Sequence, residues 1–143
     1  MTANWRRAKY LSRMIQVYAA PGKGPLSFWH EEPRVHDIAF SDGRSYFMAF
    51  QQKACYAGPF DSCGLPLLDY RGDIGLQYNP IAIAQFGLAR FNRWIVSSND
   101  LDGRSWLAVA RWLVNELRLN RHGVPVWSHY FDWPYRQLSE GSR

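Results

Sequence analysis

The clearest periodicity in the chain runs from Pro80 to about Trp94, where Ile81, Ala84, Leu88 and Phe91 recur at helical spacing. Asn79 stands where an N-cap belongs, and Pro80 sits at the first helical position, where a missing N–H costs nothing. A second helical pattern runs from about Asp102 to Arg118, with Asp102 as its predicted cap and Trp106, Val109, Ala110, Leu113 and Leu117 as its apolar face. The short connector 95–101 makes the two helices antiparallel neighbours. Upstream, His36–Phe40 and Ser45–Phe50 flank Asp42-Gly43, the pattern of an antiparallel β-hairpin over residues 36–50. Residues 5–17 form a short amphipathic helix pattern, with Trp5, Tyr10, Leu11 and Met14 on one side. Residues 19–35 and 57–77 are punctuated by Gly and Pro and read as loop; a connector as long as the second is usually functional or disordered. After the second helix, residues 120–125 form a break. Trp127, His129, Phe131 and Trp133 then alternate onto one face of an extended segment.

The predicted class is therefore α+β: an N-terminal helix, a β-hairpin and a Gly/Pro-rich connector over residues 1–76, then an antiparallel helix pair within 77–143. At 143 residues the length suits one compact domain, and 47% apolar content with 16% aromatics argues against disorder. The rings exceed the needs of a small core, so some are expected to line a groove. Net charge is +5 and 14 of the 17 basic residues are Arg, whose fork suits carboxylates, sulfates and phosphates alike. The basic residues are scattered, which permits a polyanionic partner without specifying one. His30, His36, His122 and His129 lack metal-ligand spacing, no Cys-x-x-Cys occurs, and no phosphate-loop, dinucleotide or serine-elbow motif is present, so no cofactor or metal is expected. Cys55 and Cys63 are near enough in sequence for a small disulfide loop, although two cysteines also suit a reduced chain. No apolar run reaches the length of a membrane span and none reads as a clear signal peptide, so the expectation is a soluble, cytoplasmic protein with no membrane partner.

Gln77-Tyr78-Asn79-Pro80-Ile81-Ala82-Ile83-Ala84-Gln85-Phe86-Gly87-Leu88, read with Asp42-Gly43, Phe47-Met48-Ala49-Phe50 and Gly64-Leu65-Pro66-Leu67, resembles the glucuronyl C5-epimerases. These enzymes invert carbon 5 of hexuronic acids in heparan-type polysaccharides, and their bacterial members share the Tyr-Asn-Pro-Ile opening. Block order matches over residues 36–95, with a looser echo as far as Arg136. The resemblance implies that the helix pair begins an (α/α) toroid, incomplete here because the family's members are longer. A fragment or one part of a homo-oligomer is the corresponding expectation.

Epimerisation removes the proton beside a carboxylate and returns one from the opposite face, so it needs an acid and a base flanking the ring and donors on the carboxylate. The family uses tyrosines and a glutamate, and the tyrosines that this implies here are Tyr78 at the helix mouth, Tyr46 on the hairpin and Tyr70 beside Arg71. A tyrosine acting as base requires its hydroxyl to be lowered from about 10 by a nearby cation. Arg71 is the candidate carboxylate binder, against the alternative of an ion pair with Asp69 or Asp73. Asn79, Gln85 in the Ile-Ala-Gln block, and Trp127 in the aromatic segment complete the substrate-binding set. Animal members carry Tyr at the position of Asn79, so this chain departs there. Asn115 and Glu116 are expected to face solvent. Two further readings remain: a non-catalytic polysaccharide-binding or scaffold module, and a basic nucleic-acid-binding domain, against which the scattered charge stands.

Overall fold

The computed structural model describes residues 8, 11, 12, 15, 28, 29, 34, 35 and 45–131. Strand β1 (Arg34–Val35) pairs antiparallel with β2 (Met48–Ala49), and a 3-10 helix follows at Gln51–Cys55. Strands β3 (Leu68–Asp69) and β4 (Leu76–Gln77) form a second antiparallel pair. Helix α1 (Pro80–Ser97) and helix α2 (Asp100–Glu116) come next, and β5 (Arg118–Leu119) with β6 (Pro125–Val126) closes the order. The architecture is α+β, with two packed helices and small antiparallel strand pairs.

Local chemistry explains the helix pair. Asn79 Oδ1 accepts from Ala82 N–H at 3.0 Å, and Pro80 opens α1. Ser98, at φ +52°, ends it with its N–H on the Trp94 carbonyl. Asn99 starts α2 at once, its Oδ1 accepting from Leu101 N–H at 2.8 Å. The connector is thus Ser98-Asn99, and Asn99 takes the capping role expected of Asp102. The two helices run antiparallel: Gly87 lies against Val109 and Gly103 against Trp94, so position rises on one as it falls on the other.

Asp102 is nearly fully buried between Arg90 Nη1 at 2.7 Å and Arg93 Nε at 3.3 Å. Its place in the first turn of α2 also sets its charge against the positive end of that helix.

The buried face of α1 differs from the predicted one. Ala82, Ile83, Phe86, Gly87 and Ala89 are buried, whereas Ile81 is exposed and Ala84, Leu88 and Phe91 are only partly covered. The cause is burial from several sides. Ala82, Ile83 and Phe86 enter a core with Trp29, Tyr56, Leu65, Leu68, Tyr70 and Val109, while Ala89 joins Phe50 and Ala54 in a second cluster flanked by Tyr46, Met48 and Leu88. A helix covered on several sides carries no single apolar stripe.

The 36–50 hairpin is corrected in part. Strand pairing is antiparallel, but only Met48–Ala49 of the predicted second strand is strand, and its partner lies upstream at Arg34–Val35. The register Arg34↔Ala49 and Val35↔Met48 is not that of a two-residue Asp42-Gly43 loop, which would set residue 37 opposite Met48. Residues 36–44, including that turn, lie outside the described residues. Asn92 accounts for the loss of strand at 45–47. Its Oδ1 accepts from Tyr46 N–H at 2.8 Å, and its Nδ2 donates to the carbonyls of Tyr46 at 3.1 Å and Met48 at 3.2 Å. One buried carboxamide thus satisfies both backbone groups of Tyr46 and the carbonyl of Met48. Most of the predicted 5–17 helix also lies outside the described residues, although Ala8, Leu11 and Ser12 are helical.

The 57–77 connector is structured rather than open loop. Leu65, Leu68 and Tyr70 are core residues, Phe60 bridges to Pro66, and the β3–β4 turn passes through Arg71, Gly72 and Gly75 at positive φ. No helix among the described residues is long and apolar enough to cross a membrane.

Candidate functional site

Tyr78 and Asn79 leave β4 and enter α1, and their side chains reach back in different directions into the 57–77 segment. The Tyr78 hydroxyl donates to Asp61 Oδ2 at 2.7 Å, while its ring packs on Trp112 with centroids 5.4 Å apart. Asn79 Nδ2 donates to the hydroxyl oxygen of Tyr70 at 2.7 Å, so this one residue both caps α1 and holds a buried phenol. Asp61 is itself fixed, because its Oδ1 accepts from the backbone N–H groups of Cys63 at 2.9 Å and Leu65 at 2.8 Å. The carboxylate therefore presents Oδ2 to Tyr78 in a set direction.

The other expected site residues fall elsewhere. Arg71 is exposed, at φ +61°, with Nε 3.4 Å from Asp69 Oδ2. Neither Tyr78 nor Asn79 is bonded to it in the contacts above, so the Asp69 alternative describes its geometry. Tyr46 stacks on Phe50 in the second cluster, and its hydroxyl points to Met48 Sδ at 3.9 Å. Gln85 is half-buried on α1, with Oε1 buried and unpartnered among the described residues. Trp127 is exposed, and its indole N–H donates to the Leu113 carbonyl at 2.7 Å. The expected single face of Trp127, His129 and Phe131 is divided: Phe131 packs on Tyr70 and His129 on Phe131, both partly covered, while Trp127 and Tyr130 are exposed. Trp133 lies outside the described residues. Glu116, expected in solvent, is half-buried and accepts from the Tyr130 hydroxyl at 3.2 Å. Both cysteines are free and exposed.

Electrostatics separate the possible roles. The Tyr78 hydroxyl is pushed up to about 12, first by its hydrogen bond to Asp61, then by burial and by the negative charge around it. It is therefore protonated at neutral pH and is a donor rather than a base. Tyr56, whose hydroxyl donates to the Leu67 carbonyl at 2.6 Å, is also raised to about 12, chiefly by burial. Burial lowers His129, with a backbone hydrogen bond to Tyr78 acting in the opposite direction. For the two phenols the folded value lies above the unfolded one. Their stabilisation is then complete below about 10 and is lost as pH rises towards 12. Ultraviolet titration of phenolates should show a late step near 12, from which Tyr78→Phe removes one phenol and leaves that of Tyr56. A late step unchanged by Tyr78→Phe would mean that the Asp61 bond does not hold the proton in solution.

The sequence reading named Tyr78, Asn79 and Tyr70, which the structure places in hydrogen-bonded pairs, and did not name Asp61, the partner of Tyr78. The available signal was local: Asp61-Ser62-Cys63-Gly64 is an Asx-turn pattern, in which a carboxylate accepts the N–H two residues on. Among the described residues no group of His, Cys, Asp and Glu could hold a metal ion. Comparison with family models, with curated proteins and with solved structures found no match.

Proposed function

We propose that this chain belongs to the class of proteins that handle acidic polysaccharide. Within that class, we read it as a glucuronyl C5-epimerase-like chain that binds, or acts on, uronic-acid polymer. The observation that supports the reading is that the separated blocks gather on α1. Leu65 of the Gly-Leu-Pro-Leu block shares one buried cluster with Ala82, Ile83 and Phe86, and Phe50 and Met48 of the Phe-Met-Ala-Phe block share another with Leu88. Beside them, at the mouth of α1, Tyr78 bonds to Asp61 and Asn79 to Tyr70, two partners outside the blocks. The α1–α2 pair is the proposed first unit of an (α/α) toroid.

The three tyrosines divide by what holds them. Tyr78 is the proposed proton donor of the set, but a hydroxyl raised to about 12 with its one proton directed to Asp61 is a poor acid at neutral pH. The Tyr70 oxygen is buried and accepts from Asn79, and the Tyr46 hydroxyl faces a thioether. Epimerisation needs an efficient acid and a base flanking the ring, and Tyr78 held in this way favours the binding part of the reading over turnover. The non-catalytic binding module remains the second reading on this same observation.

Calorimetric titration with heparosan, a uronate polymer without sulfate, beside dextran as a neutral comparator tests the reading. Binding of heparosan alone is expected, weakened by added salt as screening shortens the reach of the Arg side chains. Equal binding of both polymers, or of neither, would overturn it.

A further inference from the structure

The last turn of α2 carries a cluster that the helix mouth does not include. Trp127 rests on this turn through its indole N–H to the Leu113 carbonyl at 2.7 Å, and Tyr130 through its hydroxyl to Glu116 Oε2 at 3.2 Å. Both rings are about half exposed, 48% for Trp127 and 58% for Tyr130. Each polar atom is turned down onto the helix, which fixes the ring while leaving apolar surface outward. Arg118 joins them on the same turn. Its Nη1 donates to the carbonyls of Asn115 and Leu117, placing a cation at the negative end of α2. The β5–β6 register sets Arg118 opposite Val126, the residue before Trp127. The exposed Arg121 follows in the loop of that hairpin.

The geometry points to a sugar-binding shelf at the end of α2, on which Trp127 and Tyr130 stack against pyranose faces and Arg118 takes a uronate carboxylate. This rests on the uronate reading above and names a subsite for it. The two rings are anchored three residues apart on one face of the last turn of α2, Trp127 at Leu113 and Tyr130 at Glu116. With Nη1 engaged on carbonyls, the Nε and Nη2 edge of Arg118 is the edge that matches a carboxylate with two parallel hydrogen bonds. Arg118 and Arg121 outnumber Glu116 here, so the shelf favours an anionic polymer over a neutral one.

Heparosan titration of the wild-type chain and of Trp127→Ala, Trp127→Phe, Arg118→Ala and the remote control Arg104→Ala tests the shelf, with circular dichroism verifying the fold of each. Trp127→Ala should weaken binding about tenfold, the scale of losing a well-placed aromatic anchor. Trp127→Phe should retain most of the affinity, because it keeps a stacking face without the indole N–H. Arg118→Ala should weaken binding and flatten its salt dependence more than Arg104→Ala does. If the wild type binds heparosan and both Trp127→Ala and Arg118→Ala match it or match Arg104→Ala, the shelf is overturned and the uronate reading stands. If the wild type does not bind, both are overturned. Single-stranded DNA binding that depends equally on Trp127 and Arg118 would also overturn the assignment to sugar.

Discussion

Replacing Asp102 with alanine is expected to destabilise the protein by about 3 kcal/mol, the low end for breaking a buried ion pair from one side. Asp102 is 2% exposed, and its two oxygens are engaged by Arg90 and Arg93. Removing the carboxylate strands Arg90, which is 21% exposed and keeps only partial compensation from its position over the Phe86 ring at 4.9 Å. Arg93, at 46% exposed, can return to water, which places the estimate at the lower end. Urea unfolding should show a large fall in midpoint with little change in slope, and Asp102→Asn should lie between wild type and alanine because it keeps the volume and part of the hydrogen bonding. A loss under about 1 kcal/mol would mean that the pair behaves as a solvated surface bridge.

Gly87→Ala should also destabilise, against the helix-propensity trend. In an open helix interior the change would gain about 0.5–1 kcal/mol. Here the new Cβ would stand 2.4 Å from Val109 Cγ1 and 2.9 Å from Val109 Cβ, where real atoms cannot sit. The two helices must separate or Val109 must leave its rotamer, an overpacking cost of roughly 1–3 kcal/mol. Val109→Ala alone opens a cavity beside Gly87, and the added methyl of the double variant should fill part of it. The double variant is then more stable than the sum of the single changes. A stabilised Gly87→Ala would show that α1 and α2 do not approach as closely as the contact between Gly87 and Val109 requires.

The parts legible in the sequence were those governed by local chemistry. Asn79-Pro80 marks a helix start because the cap and the fixed proline φ act within one turn, and the structure puts both to that use. Distant contacts were less visible. Asp102 has the composition of a cap, yet Asn99 caps α2 and Asp102 turns to two arginines on a helix that precedes it in sequence. Asn92 looks like an ordinary polar helix residue, but its carboxamide pairs with backbone more than 40 residues away. The apolar phase of α1 was misread because Ile81 is exposed at the helix mouth while Gly87, which carries no side chain to register in a periodicity, lies close against Val109 of α2.

The candidate site divides in the same way. Tyr78 and Asn79 were findable from the helix start, and Tyr70 from its place in the preceding turn. Their partners, Asp61 for Tyr78 and the capping Asn79 for Tyr70, depend on how residues 57–77 fold back on α1. Arg71 drew notice for its charge beside glycines, but its left-handed backbone and its bond to Asp69 keep it on the turn. Alternation suggested that Trp127, His129 and Phe131 share a face. Packing on Tyr70 instead draws Phe131 inward, and His129 follows it.

The uronate account meets its most direct test in incubating the chain with heparosan in deuterated water, measuring polymer binding and deuterium at carbon 5 in the same samples. The Tyr78 hydroxyl is pushed up to about 12 with its proton directed to Asp61, which makes it neither a base nor an efficient acid at neutral pH. The predicted result is polymer bound with carbon 5 unlabelled. Deuterium at carbon 5, abolished by Tyr78→Phe, would contradict the assignment of binding without turnover, and failure to bind heparosan at all would contradict the uronate reading itself.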